Sequence, residues 1–191
     1  MEFAVTFDYL CPFARNVNEA VLTGLDQGRG WNVRFHAFSL AQVHLEEGEP
    51  PVWEAPEGRS GVLALRWGLA VRDAIPEAFP RVHRALFAIR HDRGADLNDE
   101  EIVRETIREQ GLDPDEVGRL VEDGASLETL AAEHTEAVER WGVFGVPTII
   151  VGDEAVFVRL MERDRVDDLE KVLDLVGFVR LNEFKRTRVP R

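Results

Sequence analysis

A chain of 191 residues that is 45% hydrophobic is long enough to bury one core, and its lone cysteine excludes an intrachain disulfide and the cysteine-rich zinc clusters, so no metal site is expected. The formal charge of −13 argues against nucleic acid and anionic membrane as partners. No stretch approaches the roughly 20 apolar residues of a membrane span, and residues 1–10 lack the basic start and apolar run of a signal peptide, so a cytoplasmic location is expected.

Phe3, Val5 and Phe7 alternate with Ala4 and Thr6, the pattern of a strand. Asp8-Tyr9-Leu10-Cys11-Pro12 follows directly. Proline is favoured in the first turn of a helix, where its missing N–H costs nothing, and Phe13, Val17, Ala20, Val21 and Leu25 recur at helical spacing. Cys11 is therefore expected at a strand-to-helix junction. Gly28 and Gly30 close that helix, and Trp31, Val33, Phe35 and Ala37 alternate as a second strand. A β-α-β unit this short predicts a parallel pair joined by a crossover helix.

Residues 46–61 are rich in Pro, Gly and Glu and read as a loop. Helical spacing then resumes. Leu63, Leu65, Leu69 and Val71 open it, Pro76 and Pro80 punctuate it, and Val82, Leu86, Phe87 and Ile89 continue it. Asn98 with Glu101 resembles a capping box, Asp113-Pro114 marks another start, and Ser126 begins a helix carrying Leu127, Leu130, Ala131, His134, Val138 and Trp141 that Gly142 should stop. The strand pattern returns at Val146–Val151, turns at Gly152-Asp153-Glu154, and pairs back through Ala155–Val158, an apolar edge that would suit a homodimer. A last helix is expected from about Asp164 to Gly177. Residues 46–135 are thus expected as a helical insertion between 1–45 and 136–191. Acidity is concentrated there, with sixteen Asp and Glu against four Arg between Asp92 and Glu139, the pattern of solvated helix faces.

Cys11 is the main candidate for chemistry. Unpaired N–H groups and the positive end of a helix favour a thiolate, so a lowered pKa is expected. The alternative is a small buried hydrophobe. Gly145-Val146-Pro147-Thr148 is the second candidate, because a cis peptide bond before Pro147 would turn the Val146 N–H and C=O outward to pair with an extended substrate. His36, on the second strand, and Arg15, one turn beyond Cys11, are candidates for thiolate support, against the plainer readings of a polar strand residue and an exposed arginine. His134 reads as a hydrogen-bonded core histidine. Trp53, Trp67 and Phe79 read as core, or as the lining of an apolar cleft.

Cys11-Pro12-Phe13-Ala14 and Gly142-Val143-Phe144-Gly145-Val146-Pro147-Thr148, separated by a long helical insertion, resemble the DsbA-like branch of the thioredoxin superfamily. Within it the chain looks most like the group holding FrnE, the mycothiol-dependent nitroreductase-like proteins and 2-hydroxychromene-2-carboxylate isomerase. The resemblance implies an α/β, thioredoxin-like fold (β-α-β, then α-β-β-α) with a large all-helical insertion. It makes Cys11 the nucleophile and Pro147 a cis-proline against it, with Pro12, Phe13, Val146, Pro147 and Thr148 contacting substrate. The family's second cysteine falls on Ala14 here, so a mixed disulfide on Cys11 would need an outside thiol such as glutathione or mycothiol. No covalently bound cofactor is expected; the partners implied are that thiol and a small-molecule or peptide disulfide. Two other activities stay open: a thiol-cofactor-dependent isomerase or kappa-class transferase, and a non-catalytic binding module.

Overall fold

The computed structural model describes residues 1–188; residues 189–191, the end of the basic tail, lie outside the described part. Strand β1 (Glu2–Phe7), helix α1 (Pro12–Asp26) and strand β2 (Asn32–Ala37) form the β-α-β unit, with β1 and β2 parallel and Val5 opposite Phe35. Strands β3 (Thr148–Val151) and β4 (Glu154–Phe157) join it antiparallel, giving the order β2-β1-β3-β4. The strand pairing places β1 and β3 at the centre of the sheet and β4 at its edge. The third strand starts at Thr148 and not at Val146, since a proline N cannot donate to a ladder.

Six helices lie between β2 and β3: α2 (Leu40–Val43), α3 (Val62–Ala74), α4 (Phe79–His91), α5 (Glu100–Glu109), α6 (Pro114–Glu122) and α7 (Ala125–Trp141). The single turn of α2, capped by Ser39, has no sequence counterpart, because four residues are too few to show a period. Asp99, not Asn98, caps α5, accepting from the Glu101 and Ile102 N–H groups. Asn98 is drawn away by its own N–H, which bonds the Asp96 carboxylate at 2.9 Å. Asp113 caps α6 as its position suggests. Gly142 ends α7 at φ 64°, a conformation that residues with a Cβ rarely adopt. Helix α8 (Val166–Val176) starts two residues later than expected, because Asp164 takes φ 57° and precedes it as a turn.

The sheet separates two apolar clusters. Phe3, Val5 and Ile149 pack with Val17, Ala20 and Val21 of α1 and with Leu169 and Leu173 of α8. The larger cluster runs without a break from Ala4, Phe7 and Ile150 into Leu65, Leu69, Leu86, Phe87, Ile107, Val117 and Leu130 of the helical layer. The sequence division at residue 135 therefore falls inside α7, which continues to Trp141 and packs on β2. Trp67 and Phe79 are buried in this core, whereas Trp53 is half-buried beside His134.

Candidate active site

The end of β1 sets the thiol in place. Asp8, fully buried, accepts from the Leu10 N–H at 2.9 Å and the Leu40 N–H at 2.7 Å, one with each carboxylate oxygen, and its carbonyl accepts from the Cys11 N–H at 3.1 Å. This tight turn makes Cys11 the N-cap of α1, with Pro12 in the first helical turn. Cys11 Sγ accepts from the Ala14 N–H at 3.4 Å and its S–H donates to the Val146 carbonyl at 3.3 Å. The Val146–Pro147 peptide bond is cis. The Pro147 carbonyl is taken by the Val158 N–H at 3.0 Å, and among the described residues no group bonds the Val146 N–H. Thr148 anchors the loop from below, its N–H donating to Thr6 Oγ1 at 2.7 Å and its hydroxyl to the Gly145 carbonyl at 2.8 Å.

The electrostatics reverse the sequence expectation. Burial pushes the Cys11 thiol above its ordinary 9.0; the N–H groups of Ala14 and Phe13 oppose this, the charge of Asp8 adds to it, and the charge of Arg159 opposes it. Desolvation of the charged form outweighs the helix terminus, because only 9% of the residue meets solvent. Burial likewise pushes the Asp8 carboxyl up to about 6, against its two N–H donors. The resting site is a neutral thiol bonded to a main-chain carbonyl.

Neither residue expected to support a thiolate reaches the sulfur by a hydrogen bond. The ring of His36 is turned to α7, where Nε2 meets the Glu133 carbonyl at 2.7 Å and the ring lies edge-on to Trp141. Arg15 is buried and committed elsewhere: its Nε bonds Glu19 at 2.7 Å and both terminal nitrogens bond Asp92 at 2.6 Å. It fastens α1 to the end of α4. His134 is the core histidine expected, stacked on Phe38 and accepting the Ser39 N–H at 3.2 Å.

Two features around the thiol had no assignment in the sequence. Behind it, Asn18 Nδ2 donates to the Ala14 carbonyl at 2.8 Å, Asn18 Oδ1 meets His83 Nε2 at 3.1 Å, and His83 Nδ1 meets the Tyr9 hydroxyl at 2.9 Å. His83 hides in the sequence because it shares the apolar face of α4 with Val82, Leu86 and Phe87. In front, Arg159 comes off the end of β4 and lies over the rings of Phe13 and Phe157, 5.2 and 5.4 Å from their centroids. The hairpin turn at Gly152 was the one available clue, since it sends β4 back towards the start of α1.

A thiol capping the first helix of a β-α-β unit, set against a cis-proline loop that enters an antiparallel hairpin, defines a protein of the thioredoxin fold. Residues 4–174 match the model of the DSBA-like thioredoxin domain, and the chain belongs to that family. No curated protein matches it in sequence. Among solved structures it is similar to a 2-hydroxychromene-2-carboxylate isomerase, with TM-score 0.65, 21% identity, and 94% of this chain and 98% of that one covered. It is also similar to the oxidoreductase DsbA from Xylella fastidiosa, with TM-score 0.65, 17% identity and coverage of 94% and 86%. A thioredoxin-like oxidoreductase from Silicibacter pomeroyi DSS-3 gives TM-score 0.63, 22% identity and coverage of 93% and 86%. Identities this low establish the shared fold and leave the reaction to be argued from the site.

Proposed function

We propose that this chain is a monothiol enzyme of thiol–disulfide exchange, with Cys11 as its single reacting sulfur and an outside thiol completing the cycle. The observation that carries the reading is the pairing of Cys11 Sγ with the Val146 carbonyl and the Ala14 N–H, with alanine where a resolving sulfur would stand. Once deprotonated, Cys11 attacks one sulfur of a disulfide RSSR. A Cys11–S–S–R bond forms, the S–S bond of the substrate breaks, and RS⁻ leaves with the electron pair and takes up a proton. An outside thiol R′SH, as its thiolate, then attacks the R sulfur, releasing RSSR′ and restoring the Cys11 thiolate. One substrate sulfur is reduced to RSH while R′SH is oxidised to the same extent, so Cys11 ends unchanged and no further oxidant or reductant is needed.

The raised pKa bears on both steps: little of Cys11 is thiolate at neutral pH, so the first attack is slow, and a basic thiolate is a poor leaving group, so the mixed disulfide persists until the outside thiol resolves it. An arriving substrate takes over the main chain of Val146, whose carbonyl the thiol gives up on ionising and whose N–H has no partner among the described residues. The outside thiol is of the glutathione or mycothiol kind. Intact-mass analysis after incubation with oxidised glutathione at about pH 9 is expected to show one adduct, absent from Cys11→Ser and removed by excess thiol; no adduct on the wild type refutes the reading.

One observation favours a second reading. A neutral S–H that donates to a carbonyl can equally donate to the thiolate of a bound thiol cofactor, which would make the chain an isomerase or transferase. In that case Cys11→Ser, which keeps a donor, retains activity with the cofactor thiol present; the exchange reading requires its loss.

A further inference from the structure

Arg159 stands apart from the other arginines around the thiol. Arg15 and Arg163 share Glu19 and Asp92, and Arg165 pairs with Glu162 and Asp168, whereas among the described residues no carboxylate pairs with Arg159. The guanidinium is exposed yet fixed in place, lying over Phe13 from the first turn of α1 and over Phe157 from β4. The Phe157 ring in turn packs on Phe144 at 5.2 Å, and Phe144, two residues before Val146, is 69% exposed. An aromatic shelf thus runs from the start of α1 to the cis-proline loop, with Arg159 lying on it. That cation is close enough for its charge to favour the Cys11 thiolate.

An exposed arginine held over two rings, with no carboxylate paired to it among the described residues, is ready to take a carboxylate. Its positive charge favours the approach of an anion to the site. We propose that Arg159 is the specificity-determining residue of this site, selecting disulfides and thiols that carry a carboxylate near the reacting sulfur. This deepens the exchange reading above and rests on it.

The test compares two aromatic disulfides, dithiobis(nitrobenzoate), which carries a carboxylate on each ring, and dithiodipyridine, which is neutral. Second-order rates of Cys11 modification are measured for wild type, Arg159→Gln and Arg159→Lys at low ionic strength. Taking the ratio of the anionic to the neutral rate cancels any change in thiolate population. For a pair about 6 Å apart in a partly screened setting, that ratio is expected to fall about three- to tenfold in Arg159→Gln. It should stay within about twofold of wild type in Arg159→Lys, and the wild-type ratio should shrink as salt is added. An unchanged ratio in Arg159→Gln, whether both rates fall together or neither moves, overturns the proposal and leaves the exchange reading standing. A wild type that reacts with neither disulfide overturns both.

Discussion

Replacing Tyr9 with phenylalanine removes one oxygen from an enclosed chain of hydrogen bonds, and the cost follows from the proton positions. Asn18 Nδ2 donates to two main-chain carbonyls, those of Ala14 and Thr6, which fixes the amide so that Oδ1 faces His83. Oδ1 only accepts, so His83 Nε2 carries the hydrogen and Nδ1 must accept from the Tyr9 hydroxyl. Tyr9 and His83 are both 0% exposed, so in Tyr9→Phe the Nδ1 lone pair loses its partner in a buried site. An unsatisfied buried acceptor costs about 1–3 kcal/mol. With an m-value of about 2 kcal/mol/M, the urea midpoint should fall by about 0.5–1.5 M with an unchanged slope. The measurement belongs near pH 8, where the histidine is neutral in both states. Burial, aided by the charges of Arg72 and Arg84, holds the His83 pKa well below 6.5, so the unfolded chain binds a proton that the native state refuses. The contribution of His83 to stability is therefore intact above about pH 6.5 and falls as the pH drops below it. A loss under about 0.5 kcal/mol at pH 8 would refute the proton assignment.

Three further outcomes are expected. A Cβ added at Gly68 would lie 2.3 Å from the Tyr9 hydroxyl oxygen, so Gly68→Ala should cost about 1–3 kcal/mol, and the double variant with Tyr9→Phe should cost less than the sum of the two in urea unfolding; additivity would contradict the close approach. Because burial raises the Asp8 pKa from 3.8 to about 6, the native state takes up this proton first as pH falls, and wild type gains stability through that window. Asp8→Asn lacks the gain, so unfolding free energies should show it losing about 2 kcal/mol relative to wild type between about pH 7 and pH 4, whatever its stability at pH 7. For Cys11, thiolate absorbance should titrate with a midpoint above 9.0, and alkylation by iodoacetamide should rise about tenfold per pH unit from pH 7 to 8; a midpoint below about 7 would mean that the helix terminus outweighs burial.

What was legible in the sequence was local. Pro12 after Cys11 and the apolar spacing that follows were enough to place the thiol on a helix terminus, and Gly142 and Asp113 marked their helix ends through backbone chemistry confined to a few residues. The sign of the Cys11 pKa shift was not legible, because it depends on how deeply a distant part of the chain, the Val146 loop, covers the sulfur. Arg15 illustrates the same limit. Its position one turn beyond the thiol suggested a role there, and Asp92, seventy-seven residues away, took the guanidinium instead. Arg159 reached the site only through the pairing of β3 with β4, which no local pattern around Arg159 reveals.

The unbroken core described above bears on what can be cut or transplanted in this protein. Tyr9, two residues before the thiol, packs edge-on against Phe87 at 4.9 Å and against His83, and its hydroxyl is seated over Gly68. Removing residues 46–135, or grafting in the helices of a relative, would strip three walls from the residue that leads into the Cys11 turn. The helical layer therefore shares one core with the thioredoxin-like part and is no detachable hood over it. Reprogramming the site by swapping that layer requires carrying Tyr9 and its contacts along with it, whereas Phe144, Phe157 and Arg159 lie outside residues 46–135, with Phe157 packed on Phe144 and under Arg159.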